Sequence, residues 1–147
     1  MATDIITGVL VKRTTVSGGI FTDFVPVSEV NTGGSPLASA NGSLPSGTLN
    51  DLGQGALPGY ISGTTDRLIL TPGVGGTTIN GLDASAVPDN FTILIINASP
   101  TDVLNFTHRN PGSLAGNRFS NANAGTVQLV PLSAARATYV VNQWQFA

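Results

Sequence analysis

The chain of 147 residues contains no cysteine, one lysine and one histidine. The lack of cysteine excludes a disulfide framework and any metal site built from thiolates, and a single histidine is too few for a zinc site of several imidazoles. Only 10% of the residues are charged, against roughly 25% in an ordinary soluble domain. Thr, Ser, Asn and Gly stand where that charge would be. Such a composition favours a protein that packs against copies of itself or a partner.

The charge balance and the apolar runs narrow the choice of partner. The net charge is −2, and Lys12-Arg13 is the only adjacent basic pair, which argues against nucleic acid because phosphate binding needs clustered cations. The longest purely aliphatic run of a predicted strand, Ile93 to Ile96, is far shorter than a membrane span. The N-terminus lacks the basic segment and uninterrupted apolar stretch of a secretory signal. We therefore expect neither a nucleic acid nor a membrane partner.

Periodicity predicts an all-β fold. The 18 glycines and 9 prolines interrupt every stretch long enough for three helical turns. Short runs rich in Val, Ile, Thr and Phe remain, at the spacing expected of a β-sandwich or a jelly-roll-like antiparallel domain. The predicted strands of this domain are Arg67–Thr71, Thr77–Asn80, Phe91–Asn97, Val103–His108, Thr126–Val130, Ala137–Val141 and Gln143–Phe146.

The N-terminal part of the chain has a different texture. Ile5–Val16 and Ile20–Val27 flank a Ser-Gly-Gly turn and predict a β-hairpin. Residues 31–59 are dense in turn formers and predict either a linker or an extended arm that orders against a neighbour. Scattered leucines in this stretch favour the arm. The predicted organisation is an anchoring arm over residues 1–59 and a β-domain over residues 60–147.

Alternation along the strands predicts which residues form the core. Leu104 and Phe106 alternate with polar residues, so one face of their strand should be buried. We place Leu94 and Ile96 on the core face of the preceding strand and the two neighbouring isoleucines on its other face. The full set of predicted core residues is Leu94, Ile96, Leu104, Phe106, Phe119 and Trp144. Exposure of Trp144 for stacking on a sugar is the alternative for that residue.

No pattern in the sequence predicts catalysis, a metal site or a cofactor. His108 ends a strand before a turn and has no nucleophile elbow near it in sequence, so we expect it to hydrogen-bond a loop. The eight acidic residues are dispersed, although Asp83 with Asp89, or Asp66 with Asp102, could lie close together. The glycine-rich segment 72–76 leads into a strand rather than a helix, which indicates a β-turn and not a phosphate loop.

A family resemblance runs through the C-terminal part of the chain. It rests on Ile79-Asn80-Gly81-Leu82, Ile93–Asn97, Leu104–His108, Asn117-Arg118-Phe119 and the closing Tyr139 and Trp144. In that order they resemble a β-domain of tailed-bacteriophage structural proteins, found in tail fibres, head fibres and capsid decoration proteins. The resemblance covers about residues 67–147. In Asn117-Arg118-Phe119, we expect a turn, a hydrogen bond from Arg118 to loop carbonyls and a core phenylalanine.

The resemblance implies a virion component, made in the host cytoplasm, that is a homo-oligomer, expected to be a trimer, and has no catalytic activity. The short chain favours a capsid decoration (cement) protein that binds the major capsid protein and stabilises the head shell. The alternatives are a tail- or head-fibre module that recognises host glycan through loops 110–116 and 121–125, and a glycan-active enzyme or lectin unrelated to virions. The predicted capsid or inter-subunit contacts are Ile5, Ile6, Val9, Leu10, Val11, Phe21 and Phe24.

Overall fold

A computed structural model describes residues 38–146 in full and the backbone of residues 8–14 and 20–26. The chain divides into two compact units, Met1–Pro36 and Leu37–Ala147. The division falls at Pro36, not at the predicted boundary between residues 59 and 60.

The N-terminal unit contains a β-hairpin. Strands β1 (Gly8–Thr14) and β2 (Ile20–Pro26) pair antiparallel, with Gly8 opposite Pro26 and Thr14 opposite Ile20. The predicted hairpin is therefore confirmed, although its Ser-Gly-Gly turn lies outside the described residues. A two-stranded hairpin is marginally stable on its own in water.

The C-terminal unit is built almost wholly of strands, which confirms the all-β prediction. Its only described helix is a single 3-10 turn at Ala115–Asn117, and no described helix has the length and apolar character to span a membrane. Its nine strands are β3 (Ala38–Ser43), β4 (Gly47–Leu49), β5 (Thr65–Thr71), β6 (Thr77–Ile79), β7 (Thr92–Asn97), β8 (Leu104–Phe106), β9 (Val127–Leu129), β10 (Ala134–Val140) and β11 (Gln143–Phe146).

These strands wind alternately through two mixed sheets. One sheet has the order β11-β10-β7-β5-β3 and the other the order β4-β6-β8-β9. The chain passes from the first sheet to the second and back three times, so that β3 with β4, β5 with β6 and β7 with β8 form three successive rungs. Pairing between consecutive rungs is parallel in both sheets. The resulting course is that of a short solenoid, in which each rung packs on the next.

The last three strands close the winding at one end. β9 pairs antiparallel with β8, β10 pairs antiparallel with β7, and β11 folds back on β10. Antiparallel pairing is therefore confined to this end, and four of the seven strand pairs in residues 38–146 are parallel. The prediction of an antiparallel domain is therefore wrong for the pairing between rungs, which is parallel. Short strands and turns look the same in sequence whether the next strand pairs with its neighbour or crosses to another sheet.

Residues 38–59 are not the extended arm or linker that their composition predicted. They form the first rung, and Leu44, Leu52 and Leu57 are buried in the same core as the later strands. Gly42 lacks a side chain where Leu57 packs, since a Cβ there would clash with the Leu57 Cδ1 atom. The leucines that seemed to suit an arm are core residues of the domain itself.

The core face of β7 is opposite to the predicted one. Ile93, Ile95 and Asn97 are buried, whereas Leu94 and Ile96 are half-buried on the outer face of the sheet. Asn97 is drawn inward because its amide donates hydrogen bonds to the carbonyls of Asp102, Leu129 and Val130, and strand alternation then fixes the rest. The other four predicted core residues, Leu104, Phe106, Phe119 and Trp144, are at most 1% exposed.

A polar ladder connects the three rungs on one side. The ladder consists of the residues that directly follow three strands: Asn50 follows β4, Asn80 follows β6 and Thr107 follows β8. The Asn80 amide donates to Asn50 Oδ1 at 2.6 Å, and the Thr107 hydroxyl donates to Asn80 Oδ1 at 2.7 Å. Asn80 is 5% exposed, so both hydrogen bonds satisfy a group withdrawn from water.

Candidate interaction surfaces

The first rung leaves a strand edge open in both sheets. β3 is the last strand of the five-stranded sheet and β4 is the first of the four-stranded sheet, and no described strand pairs with their outer sides. Unpaired N–H and C=O groups on a strand edge are a template for another strand. We call this surface, formed by the outer edges of Ala38–Ser43 and Gly47–Leu49, the open edge.

Among the described residues, no charge and no proline within a strand protects the open edge against pairing, although β4 is short and the register between β3 and β5 shifts between Ala38 and Ser39. Exposed edges in solitary proteins are blunted by lysine, inward-pointing charges, proline within the strand or a covering element. From Leu37 to Asn50 there is no charged residue, and the single proline, Pro45, lies between the two strands. Ser39, Asn41 and Ser43 are exposed on β3, so small uncharged side chains line the longer of the two edge strands. The uncharged composition rich in Ser, Asn and Gly, which predicts an assembly component, is therefore found at this edge.

The outer face of the five-stranded sheet is partly apolar. Cross-strand pairing places Ile69 beside Ile96 and Arg67 beside Leu94. Arg136 lies opposite Leu94 on the other side, so arginines border the aliphatic residues. All three aliphatic residues are half-buried rather than exposed. The aliphatic run Ile93–Ile96, which is apolar on both faces, therefore belongs to a central strand, β7, as the sequence predicts.

A small cavity lies at loop 121–125, one of the two loops predicted for glycan recognition. Its volume is about 230 Å³, and polar loop residues face apolar ones across it. Asn121 is 5% exposed, and its Oδ1 atom has no hydrogen-bond partner in the described part of the chain. The cavity is lined by Asn121, Ala122, Asn123, Gly125, Thr126, Val127, Ala135 and Phe146.

His108 holds this loop in place. Its Nδ1 atom accepts a hydrogen bond of 2.9 Å from the backbone N–H of Asn121. The Asn121 amide in turn donates to the carbonyls of Phe106 and Gly125. The predicted role of His108, a strand-end histidine hydrogen-bonded to a loop, is confirmed. Loop 121–125 is thus fixed at both of its ends.

Three of the acidic residues, Asp83, Asp89 and Asp102, are engaged in separate loops. Asp83 accepts a hydrogen bond from the N–H of Ser85, and Asp89 accepts one from the N–H of Val141. Asp102 accepts hydrogen bonds from the Thr101 hydroxyl and the Gly75 N–H, both at 2.8 Å. These bonds, led by that from Thr101, lower the pKa of the Asp102 carboxyl. No group of three or more potential metal ligands lies together in the portion of the chain described.

The glycine-rich segment 72–76 is the β-turn that the sequence predicted. The N–H of Gly76 donates to the carbonyl of Gly73, and both Gly75 and Gly76 have positive φ. The Gly75 N–H is directed to Asp102 rather than left free for an anion. The turn leads directly into β6.

The Asn117-Arg118-Phe119 motif has a structural role at the closing end. Arg118 Nε donates to the carbonyl of Ser113 at 2.9 Å, and Phe119 is fully buried, as predicted. Asn117 does more than form a turn: its side chain accepts from the N–H of Ala84 and donates to Asp51 Oδ1, both at 2.9 Å. The motif therefore connects the loop after β8 to loops of the first two rungs.

The predicted contact residues lie in the N-terminal unit. Ile5 and Ile6 fall outside the described residues. Val9, Leu10 and Val11 lie on β1, and Phe21 and Phe24 lie on β2, where the register sets Leu10 opposite Phe24. Their side chains are outside the described part, so their contacts stay a prediction. The sequence reasoning did not predict the open edge, because it assigned residues 38–49 to a segment without strands.

Comparisons with known proteins give no relative. No protein-family model matches the chain, no curated protein matches its sequence, and no solved structure matches its fold.

Proposed function

We propose that this protein is a structural component of a phage virion, a capsid decoration protein without catalytic activity that binds the outer shell of the head. The observation that carries the proposal is the open edge, an uncharged pair of strand edges that no described strand pairs with, in a chain with very little charge. An edge of this kind joins neighbouring copies in an assembly by strand addition, in which main-chain hydrogen bonds supply affinity. The phage resemblance of residues 67–147 supports the choice of a virion over another assembly.

The two units have different roles in this proposal. The N-terminal unit, with the hairpin strands and the apolar residues on them, grips the major capsid protein. A lone hairpin gains stability when it packs on a further surface, which the shell supplies. The C-terminal unit, called the three-rung unit from here on, is the body that projects from the shell. Its two sheets pack face to face as a sandwich. Many copies on a closed lattice add avidity, so each contact can be weak.

Truncation tests this proposal. Deletion of Met1–Gly34 should leave the three-rung unit folded, because its core lies within residues 38–146. The truncated protein should keep the near-ultraviolet dichroism of buried Trp144 but no longer co-sediment with empty capsids. The full-length chain should saturate the same capsids at high copy number and as a homo-oligomer, expected to be a trimer. A truncated protein that still decorates capsids would contradict the proposal.

Recognition of a host glycan is the second candidate function. The cavity at loop 121–125 favours it, because an amide-rich rim faces Phe146 and Asn121 has an unsatisfied buried acceptor. Sites for small neutral ligands combine an apolar wall with a few placed polar groups. Titration of the purified protein with host-surface glycan fragments, followed by amide chemical shifts, tests this function. Asn123→Ala should abolish shifts that the control Gln54→Ala leaves unchanged.

A further inference from the structure

We infer that two copies of this chain associate through their open edges, β3 against β3 and antiparallel, around a two-fold axis. The contact joins the two five-stranded sheets into one continuous sheet. It follows from the sheet edges alone and does not depend on whether the chain binds a capsid. It names a partner, a second copy of the chain, for a surface that the described residues leave unpaired.

The backbone of β3 has hydrogen-bonding groups that its own sheet does not use. In a parallel pair, the N–H and C=O groups of each strand point alternately to the two sides, so pairing with β5 uses only one side of β3. No described strand pairs with the hydrogen-bonding groups on the other side. A second strand can satisfy these groups without any change in the fold, which is why open edges associate.

The residues of β3 suit a second copy of the same strand as the partner. An antiparallel copy of β3 places only Ala, Ser, Asn and Gly opposite one another, and none of these carries charge. Like charges directly opposite on neighbouring strands destabilise a pair, so their absence removes the usual barrier to self-pairing. The exposed side chains Ser39, Asn41 and Ser43 are small enough to let two copies approach closely.

A two-fold dimer and a head-to-tail filament would use different strand edges. A head-to-tail contact would join β3 of one copy to β11 at the other end of the same sheet in the next. Such a contact leaves a free edge at both ends and continues into a filament. The outer side of β11 is already occupied at Trp144, whose N–H donates to the Arg118 carbonyl and whose carbonyl accepts from the Ser120 N–H, whereas no described strand pairs with the outer side of β3. The two-fold contact uses the outer side of β3 in both copies at once, so that no β3 edge remains for a third copy.

Light scattering of the full-length protein over a range of concentrations tests this inference. We expect a mass of two copies, or of six if the two-fold contact links trimers. Asn41→Lys places a lysine on the exposed side of β3 in each copy, and should weaken association at least tenfold. The matched control is Gln145→Lys, an equally exposed position on the edge strand at the other end of the same sheet.

The outcomes separate cleanly. Loss of association with Asn41→Lys, while Gln145→Lys associates like the parent, supports the two-fold contact. A parent protein that stays monomeric or purely trimeric overturns it, and so does equal disruption by both variants, which indicates head-to-tail growth. Thermal unfolding of both variants verifies that neither lysine unfolds the domain. Failure to bind capsids, by contrast, would overturn the decoration proposal and leave this contact intact.

Discussion

The two ends of the three-rung unit differ in residue composition. At the open edge, β3 consists of small uncharged residues, with Ala40 as its buried residue. The closing end holds the aromatic core, where the Phe119 ring lies 5.1 Å from Phe106 and 5.4 Å from Phe146. Solenoids need a cap at each terminus to stay soluble and monomeric. The described residues complete one end and leave the strand edges of the other end unpaired.

Trp144 is the residue through which the closing end is most easily broken. It is fully buried, stacks edge-on against Tyr139 at 5.2 Å, and its Nε1–H donates to the carbonyl of Leu82 at 2.9 Å. Trp144→Ala should lower the free energy of unfolding by about 3–5 kcal/mol, because it leaves a large cavity and an unpaired carbonyl. Urea denaturation followed by far-ultraviolet dichroism measures the change.

A substitution in the first rung serves as the comparison for Trp144. Leu49 on β4 is half-buried, so Leu49→Ala should cost clearly less, about 1–2 kcal/mol. If the two variants lost equal stability, the closing end would not be the better-packed part of the unit. Trp144→Phe, which keeps the ring but loses the N–H group, should fall between them.

The polar ladder offers an intermediate effect and tests whether the rungs depend on one another. Asn80→Ala removes both hydrogen bonds of a nearly buried amide and should cost about 2 kcal/mol. Thr107→Val should cost less, because it breaks one bond only. A double-mutant cycle in urea should show that the two costs are not additive. Strict additivity would mean that the ladder does not couple the second and third rungs.

Asp102 gives the smallest effect, and one that depends on pH. Its pKa is lowered in the folded protein, first by the Thr101 hydroxyl and then by the Gly75 N–H. A lowered folded pKa favours the folded state at pH values above the ordinary carboxyl pKa of about 3.9, and this contribution is lost as pH falls through the folded value. The gap in melting temperature between the parent and Asp102→Asn should therefore be constant near neutrality and close in acid.

Thr101→Val is the control for that measurement. It removes the largest cause of the lowered pKa while leaving the carboxylate and the Gly75 N–H in place. The pKa of Asp102, followed by carboxyl chemical shifts, should then rise toward its ordinary value. An unchanged pKa would show that the threonine hydroxyl does not act on the carboxylate as the geometry indicates.

The rung repeat has a signal in the sequence that periodicity alone does not reveal. Thr48-Leu49-Asn50 and Thr78-Ile79-Asn80 recur thirty positions apart, each followed by a leucine two residues later, and Leu57-Pro58 recurs as Val87-Pro88 at the same distance. Self-similarity at a fixed spacing is the mark of a solenoid. Recognition of it would have placed residues 38–59 in the first rung instead of an arm, and would have predicted parallel pairing between rungs.

Other parts of the structure could be predicted for clear physical reasons. The later strands lie within a few residues of their predicted positions because β-branched runs and Gly-Pro turns are local signals. The buried face of β8 followed from strict alternation with polar residues. The buried face of β7 did not, because four consecutive aliphatic residues satisfy either face. Only the inward amide of Asn97, bonded to carbonyls about thirty residues away, decides between the two faces.

By itself, the sequence determined that this protein is made of strands, has no thiol or multi-histidine chemistry and has a surface with little charge, because each of these depends on composition or local pattern. Only the tertiary structure decided that His108 holds the rim of a cavity and that β3 and β4 end both sheets without a partner among the described residues. Those features depend on which distant segments hydrogen-bond. Local residue patterns do not encode the choice of a parallel neighbour in another rung over an antiparallel neighbour in a hairpin.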